Sequence, residues 1–171
     1  NVVNMDGMFL DCRSLASLDL SSFDTGKVTS MYGMFSGCKA LTTLDLSSFD
    51  TRNVTTMVDM FCNCKALTTL NLSSFDTGEV TTMEGMFSGC ESMTSLNVSS
   101  FNTSSVTSMS GMFNGCKALT TLDLSSFDTR GVTDMSDMFY GCFKLSVDCS
   151  NWDVSKVTIH SNFNANAPGV T

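Results

Sequence analysis

The chain is expected to fold as a repeat solenoid, with a parallel β-sheet on one face and short helices on the other. Three observations in its 171 residues predict this. Met-Phe pairs recur at 8/9, 34/35, 60/61, 86/87, 112/113 and 138/139, a constant step of 26 residues. Cys12, Cys38, Cys64, Cys90, Cys116 and Cys142 keep that step, as do Leu18, Leu44, Leu70, Leu96 and Leu122. Within each copy, a run of alternating apolar and polar residues is followed by apolar residues at helical spacing. A step of 26 lies inside the roughly 20–29 residues of leucine-rich repeats, so the solenoid is leucine-rich-repeat-like.

The first half of each unit is the expected strand. In Leu44-Asp45-Leu46 the leucines should point inward and Thr43, Asp45 and Ser47 outward, as side chains alternate across a pleat. Phe23, Phe49, Phe75, Phe101 and Phe127 follow as a further apolar ladder. The next residues are Asp24, Asp50, Asp76, Asn102 and Asp128, types that accept from the amide two residues on in an Asx-turn. Asn102 fits that structural role, which a charge-dependent one would have excluded.

The second half is the expected helix. Val28, Met31, Met34, Phe35, Cys38 and Leu41 form an apolar stripe, and Thr29 or Ser30 can cap its start. Gly37, Gly89, Gly115 and Gly141, with Asn63 in the same slot, suit a left-handed residue ending it. Neither half can bury its apolar face alone, so neighbouring copies must stack. The core should comprise the Leu18 to Leu122 series, the six periodic cysteines, and Phe35, Phe61, Phe87 and Phe113. Residues 1–171 then form one solenoid of about six repeats. Residues 1–145 are regular and 146–171 are a degenerate repeat or cap, in which Trp152 follows Phe127 by 25 residues and Asn162, Asn164 and Asn166 replace the apolar stripe.

A net charge of -8 argues against a nucleic-acid partner, which Lys and Arg clusters would have to neutralise. No apolar run approaches the roughly 18 residues of a spanning helix, so membrane insertion is not expected. The chain starts within a repeat and shows no signal peptide, which suggests a mature product or a segment of a longer protein.

The periodic cysteines are expected to be buried free thiols, small core residues rather than disulfides. Cys149 should be core too, and Cys62, standing where Ser36 and Ser88 stand, should be exposed. Zinc is not expected, since Cys62 and Cys64 have the wrong spacing and His160 is the single histidine. No metal or cofactor is expected. The nearest approach to a metal site is the outward ladder of Asp19, Asp45, Asp123 and Asp148, with Asn71 and Asn97 between them. It is open to two readings: a solvated polar face, or paired carboxylates holding Ca²⁺. Thr43, Thr69, Ser95 and Thr121 beside Ser47, Ser73, Ser99 and Ser125 could order water against ice, although the aspartates between them count against an uncharged face. Asn53, Asn71, Asn97 and Asn102 head sequons that permit glycosylation in a eukaryotic source. No catalytic set can be assembled around His160, and no enzymatic activity is expected.

The motif Met-Phe-x-x-Cys-x-x-Leu-x-x-Leu-Asp-Leu-Ser-x-Phe-Asp-Thr-x-x-Val-Thr-x-Met resembles that of the BspA-like leucine-rich repeat surface proteins. Asn151-Trp152-Asp153-Val154-Ser155-Lys156-Val157-Thr158 is similar to another version of it. The resemblance covers essentially residues 1–160. It implies a leucine-rich-repeat-like solenoid, an extracellular or cell-surface location and a role in adhesion, with no ligand named. The expected function is a non-enzymatic module for adhesion, protein interaction or scaffolding, with a protein or glycan partner. The alternatives are a subunit that polymerises end to end into a filament, and an ice- or mineral-binding protein using its Thr/Ser/Asp face. Between copies the strand face barely varies, whereas the slots after Thr25 and Met31 do, so the variation is expected on the turns and the helix surface and not in a tailored concave pocket.

Overall fold

Alternate amides in the second half of each repeat bond to the next coil and to their own, and this decides the architecture. The computed structural model describes residues 2–171. Met31, Gly33, Phe35 and Gly37 donate across to the next coil, to the carbonyls of Thr56, Val58, Met60 and Cys62, at 3.2, 2.8, 2.9 and 2.7 Å. Between them, Met34, Ser36 and Cys38 donate back three residues, to Met31, Gly33 and Phe35. An α-helix would instead send every amide four residues back along its own chain.

No helix forms among the described residues, so the helices expected on the other face are replaced by tight turns. The cause is in the backbone. Positive φ recurs twice in each coil, four residues apart: +56° and +76° at Gly33 and Gly37, +54° and +58° at Asp59 and Asn63. The left-handed region is cheap only for Gly, Asn and Asp, and it cannot be continued as a helix. Gly37 and its equivalents are left-handed, as expected, but they close a turn and do not end a helix. The other slot was missed. It holds Gly7, Gly33, Asp59, Gly85, Gly111, Asp137 and Asn162, all at positive φ. Its restriction to Gly, Asp and Asn was a legible signal.

The parallel backbone pairing also lies elsewhere than expected. Asn4, Ser30, Thr56, Thr82, Ser108, Asp134 and Ile159 pair in register from coil to coil. The continuous ladder therefore runs through the Val-Thr-x-Met segment, and on the Leu-Asp-Leu side parallel pairing is confined to the C-terminal coils, where Thr121 pairs with Ser146. Around Leu44 the pairing is sparse, with Thr68 N donating to Thr42 O at 3.3 Å and Thr94 N to Thr68 O at 3.2 Å. Local turns take the amides there. Ser47 N donates to Asp45 Oδ1 and Phe49 N to Leu46 O. Two regular strands occur among the described residues: β1 (Ser146–Val147) pairs in parallel with β2 (Gly169–Val170), Ser146 opposite Gly169. Residues 146–171 thus form a further, shortened coil of the stack.

Side-chain directions on Leu44-Asp45-Leu46 follow the alternation: both leucines are buried, and Thr43, Asp45 and Ser47 are exposed. The apolar slots stack into continuous spines. Phe35, Phe61, Phe87, Phe113 and Phe139 lie face to face with centroids 5.7 Å apart and planes within 4–7°. Burying a side chain of this size contributes about 1.5–3 kcal/mol. Trp152 takes the slot after Phe127, 6.3 Å away and nearly parallel, while Phe163 turns its edge to Phe139. Leu44, Leu70, Leu96 and Leu122 are buried, but Leu18 is half-buried, because it lies in the first coil.

Candidate functional site

The outward aspartates are turn-closing groups. The Oδ1 of Asp19, Asp45, Asp123 and Asp148 accepts from the amide two residues on, at 2.9, 2.9, 3.0 and 2.8 Å. Asn71 and Asn97 do the same at 3.1 and 3.0 Å without any charge. The amide of Ser21 holds the Asp19 carboxyl below its usual range, and those of Ser47 and Ser125 act likewise on Asp45 and Asp123. For Asp148 the Ser150 side chain leads. Among the described residues no group of three or more His, Cys, Asp or Glu side chains is arranged to hold a metal ion.

A second Asx ladder follows the Phe slot as expected. Asp24, Asp50, Asp76, Asn102 and Asp128 accept from the amide two residues on, at 3.0–3.3 Å. Arg130 also donates to Asp128, drawing that carboxyl down to about 2.

Sequence reasoning missed the residue beside this ladder. Thr25, Thr51, Thr77, Thr103 and Thr129 are all buried. Thr77 Oγ1 donates to Asn102 O at 2.9 Å and accepts from Asn102 N at 2.8 Å, clipping two coils together. Thr25, Thr51 and Thr103 make the same pair of hydrogen bonds. The signal was threonine in this slot in all five copies, among turn residues that otherwise vary.

Cys38, Cys64, Cys90, Cys116 and Cys142 are buried free thiols. Each Sγ donates to the carbonyl of the Met-Phe phenylalanine one coil before, Cys64 to Phe35 O at 3.1 Å. Desolvation pushes Cys64 up to about 12 and Cys38 and Cys142 to about 11. Cys12 departs from expectation: it lies in the first coil and is exposed, not core. Cys149 is half-buried against the core, and Cys62, expected to be exposed, is half-buried, with Asn63 Nδ2 donating to its sulfur at 3.3 Å.

The remaining candidates are dispersed. His160 is exposed in the last coil, beside a largely apolar cavity of about 580 Å³ that also touches Val154 and Phe163. Asn53 Nδ2 donates to Gly26 O at 2.8 Å, which engages the nitrogen a glycan would need. Asn71, Asn97 and Asn102 are exposed with Oδ1 held in their Asx-turns. The exposed Thr and Ser ranks, Thr43, Thr69, Ser95 and Thr121 with Ser47, Ser73, Ser99 and Ser125, flank the aspartate ladder.

What varies from coil to coil lies on the turns. One slot reads Tyr32, Val58, Glu84, Ser110, Ser136; another reads Lys39, Lys65, Glu91, Lys117, Phe143. In the second, Glu91 is gripped by Lys65 at 2.7 Å and Lys117 at 3.0 Å, one from each neighbouring coil.

A family profile described as "Mycoplasma protein of unknown function, DUF285" matches residues 1–95 and 65–170. Among curated proteins none matches. Among solved structures the chain is similar to a leucine-rich repeat protein from Eubacterium ventriosum, with 24% identity and a TM-score of 0.53 over 80% of this chain. The match spans 33% of that longer protein. It is also similar to the leucine-rich repeat protein of T. pallidum, with 21% identity and a TM-score of 0.58 over 96% of this chain and 80% of that one. Likeness at this identity shows the leucine-rich-repeat-like fold. Two profile matches that together span nearly the whole chain, on a 26-residue unit stacked coil upon coil, make this chain a member of the DUF285 repeat family, the BspA-like group that its motif resembles.

Proposed function

We propose that this chain is a non-enzymatic interaction module, displayed outside the cell or on its surface and used for adhesion or scaffolding, with a protein or glycan partner. One observation carries the reading. The buried Phe, Cys, Leu and Thr slots repeat with little change, while exposed turn residues change type and charge from coil to coil. A rigid scaffold presenting variable turns is how repeat proteins display recognition surfaces. The charge of -8 supports a partner other than nucleic acid. Among the described residues no helix is long and apolar enough to cross a membrane. Beads coated with the chain should bind cell surfaces or immobilised extracellular proteins saturably, with soluble chain competing. Binding that neither saturates nor competes would sink the reading.

A second reading, longitudinal self-association, is favoured by the polarity of the stack. The carbonyls of Ser30, Tyr32, Met34 and Ser36 accept from the coil before, and Asn4, Asp6, Met8 and Leu10 are their first-coil equivalents. The amides of Met135, Asp137, Phe139 and Gly141 donate to the coil after, and His160, Asn162, Asn164 and Asn166 are theirs. Acceptors at one end match donors at the other. A further coil or a second copy could use them, and a heterologous contact of that kind grows without closing.

A further inference from the structure

One coil carries two aromatic residues in slots that its neighbours mostly fill with polar ones. Tyr140 stands in the slot of Ser36, Cys62, Ser88 and Asn114, and Phe143 in the slot of Lys39, Lys65, Glu91 and Lys117. Both are exposed, Tyr140 at 40% and Phe143 at 56%, so neither is needed by the core. They rise at one end of a cleft of about 270 Å³ on the turn face. Its floor is Gly89, Gly115 and Gly141, where a Cβ on Gly141 would make ordinary contact with Gly115 Cα at 3.9 Å and Phe143 Cζ at 4.0 Å. Floor amides are already engaged, Gly89 N with Asn114 O and Gly115 N with Tyr140 O, both at 2.7 Å. The floor is therefore a flat, largely apolar surface. Asn114 and the Lys117–Glu91 pair complete the polar rim.

The chemistry of this cleft selects among ligands. Glu91 already holds two ammonium groups, so the rim offers no unpaired carboxylate for a cation, and the two lysines are held by Glu91 rather than free for an anion. What remains is a pair of rings with apolar faces beside planar amide and charge-paired hydrogen-bonding groups. A site that is mostly apolar with a few placed polar groups is the usual form of a small-ligand pocket. At slightly less than the roughly 300–1,000 Å³ of such pockets, it suits a short stretch of a longer chain.

We propose that this cleft binds a neutral saccharide, with the Tyr140 and Phe143 rings against pyranose C–H faces and Asn114 and the Lys117–Glu91 pair taking hydroxyls. The assignment deepens the interaction-module reading and rests on it. The test is titration calorimetry of the 171-residue chain against cellohexaose, maltohexaose, chitohexaose, mannohexaose and xylohexaose. The comparison variant is Tyr140→Ser with Phe143→Lys, which installs the residues that Ser88 and Lys117 place in those slots and should leave the thermal midpoint unchanged. At least one hexasaccharide is expected to bind, and the double variant to lose affinity by about tenfold or more, as when aromatic anchors are removed. Absence of binding by all five, or equal binding by both proteins, overturns the assignment. If bead adherence persists while no saccharide binds, only this assignment falls; if adherence also fails, the module reading falls with it.

Discussion

Thr77 shows how much one hydroxyl can do in a repeat protein. It is buried and serves as both donor and acceptor for one peptide group of the next coil. Thr77→Val keeps the shape but leaves the Asn102 amide and carbonyl without that partner. An unsatisfied buried polar group costs about 1–3 kcal/mol, so the variant should lose about 2–4 kcal/mol of stability. Thr77→Ser keeps the hydroxyl and should lose about 1 kcal/mol, the value of a buried methyl. Thr69→Ala, exposed on the Leu-Asp-Leu face, should stay within about 0.5 kcal/mol, as surface changes usually do. Denaturant melts of the three variants check this, and equal losses for Thr77→Val and Thr69→Ala would show that the clip does not hold the coils together. The same scale explains why Asp59 and Asp137 can replace glycine: both adopt positive φ, at +54° and +55°, which a β-branched residue would resist.

The element of this molecule is the coil, and its thiols report on its packing. Buried Cys64 is raised to about 12, and Cys38 and Cys142 to about 11, from 9.0. A folded-state value above the unfolded one means that stability is fully present below pH 9 and lost as pH rises toward 12. The thermal midpoint should therefore be flat up to about pH 9 and fall above it. Cys64→Ala should shrink that fall while lowering the midpoint at neutral pH through the cavity it leaves. In the native protein an alkylating reagent should modify exposed Cys12 first and half-buried Cys62 and Cys149 more slowly. The five buried thiols should react only on unfolding. Rapid labelling of Cys90 in the native chain would show that the coils open far more easily than their spines imply.

For the whole molecule, the question is whether the stack extends beyond itself. Val2, Val3, Met8 and Leu10 are exposed in the first coil, and Val154 and Ile159 in the last. Those apolar groups accompany the matched rows of acceptors and donors. The chain of residues 1–171, studied as it stands, should therefore associate longitudinally with rising concentration. Sedimentation velocity over a concentration series measures this. A single monomeric species at every concentration would remove the filament reading and leave the adhesion module alone. Replacing Met8 and Leu10 by lysine should suppress association without reaching the stacked Phe35 to Phe139 core. If association survived that change, it would have to be assigned to another surface.

The repeat, its phase and its inward and outward slots were legible in the sequence, because burial acts on side-chain type and 26-residue spacing displays it directly. The Asx-turns were legible too, since Asp and Asn close them through atoms two residues away. Two features were decided only by the tertiary structure. Val28, Met31, Met34 and Phe35 have a spacing that a helix and a succession of three-residue turns satisfy equally well. What separates them is the direction of the intervening amides, which depends on the neighbouring coil. The place of the parallel ladder was hidden for a related reason. The Leu-Asp-Leu pattern marks a segment with one buried side, but its amides are taken by local turns. In the Val-Thr-x-Met segment the Thr29 amide reaches the coil before, at Val3 O, and the Met31 amide the coil after, at Thr56 O. Side-chain alternation tells which face is buried, whereas strand pairing depends on where unclaimed backbone groups of two coils meet. The turn-face cleft follows the same logic: glycines 26 residues apart become a floor, and Tyr140 and Phe143 its wall, only once the coils are stacked.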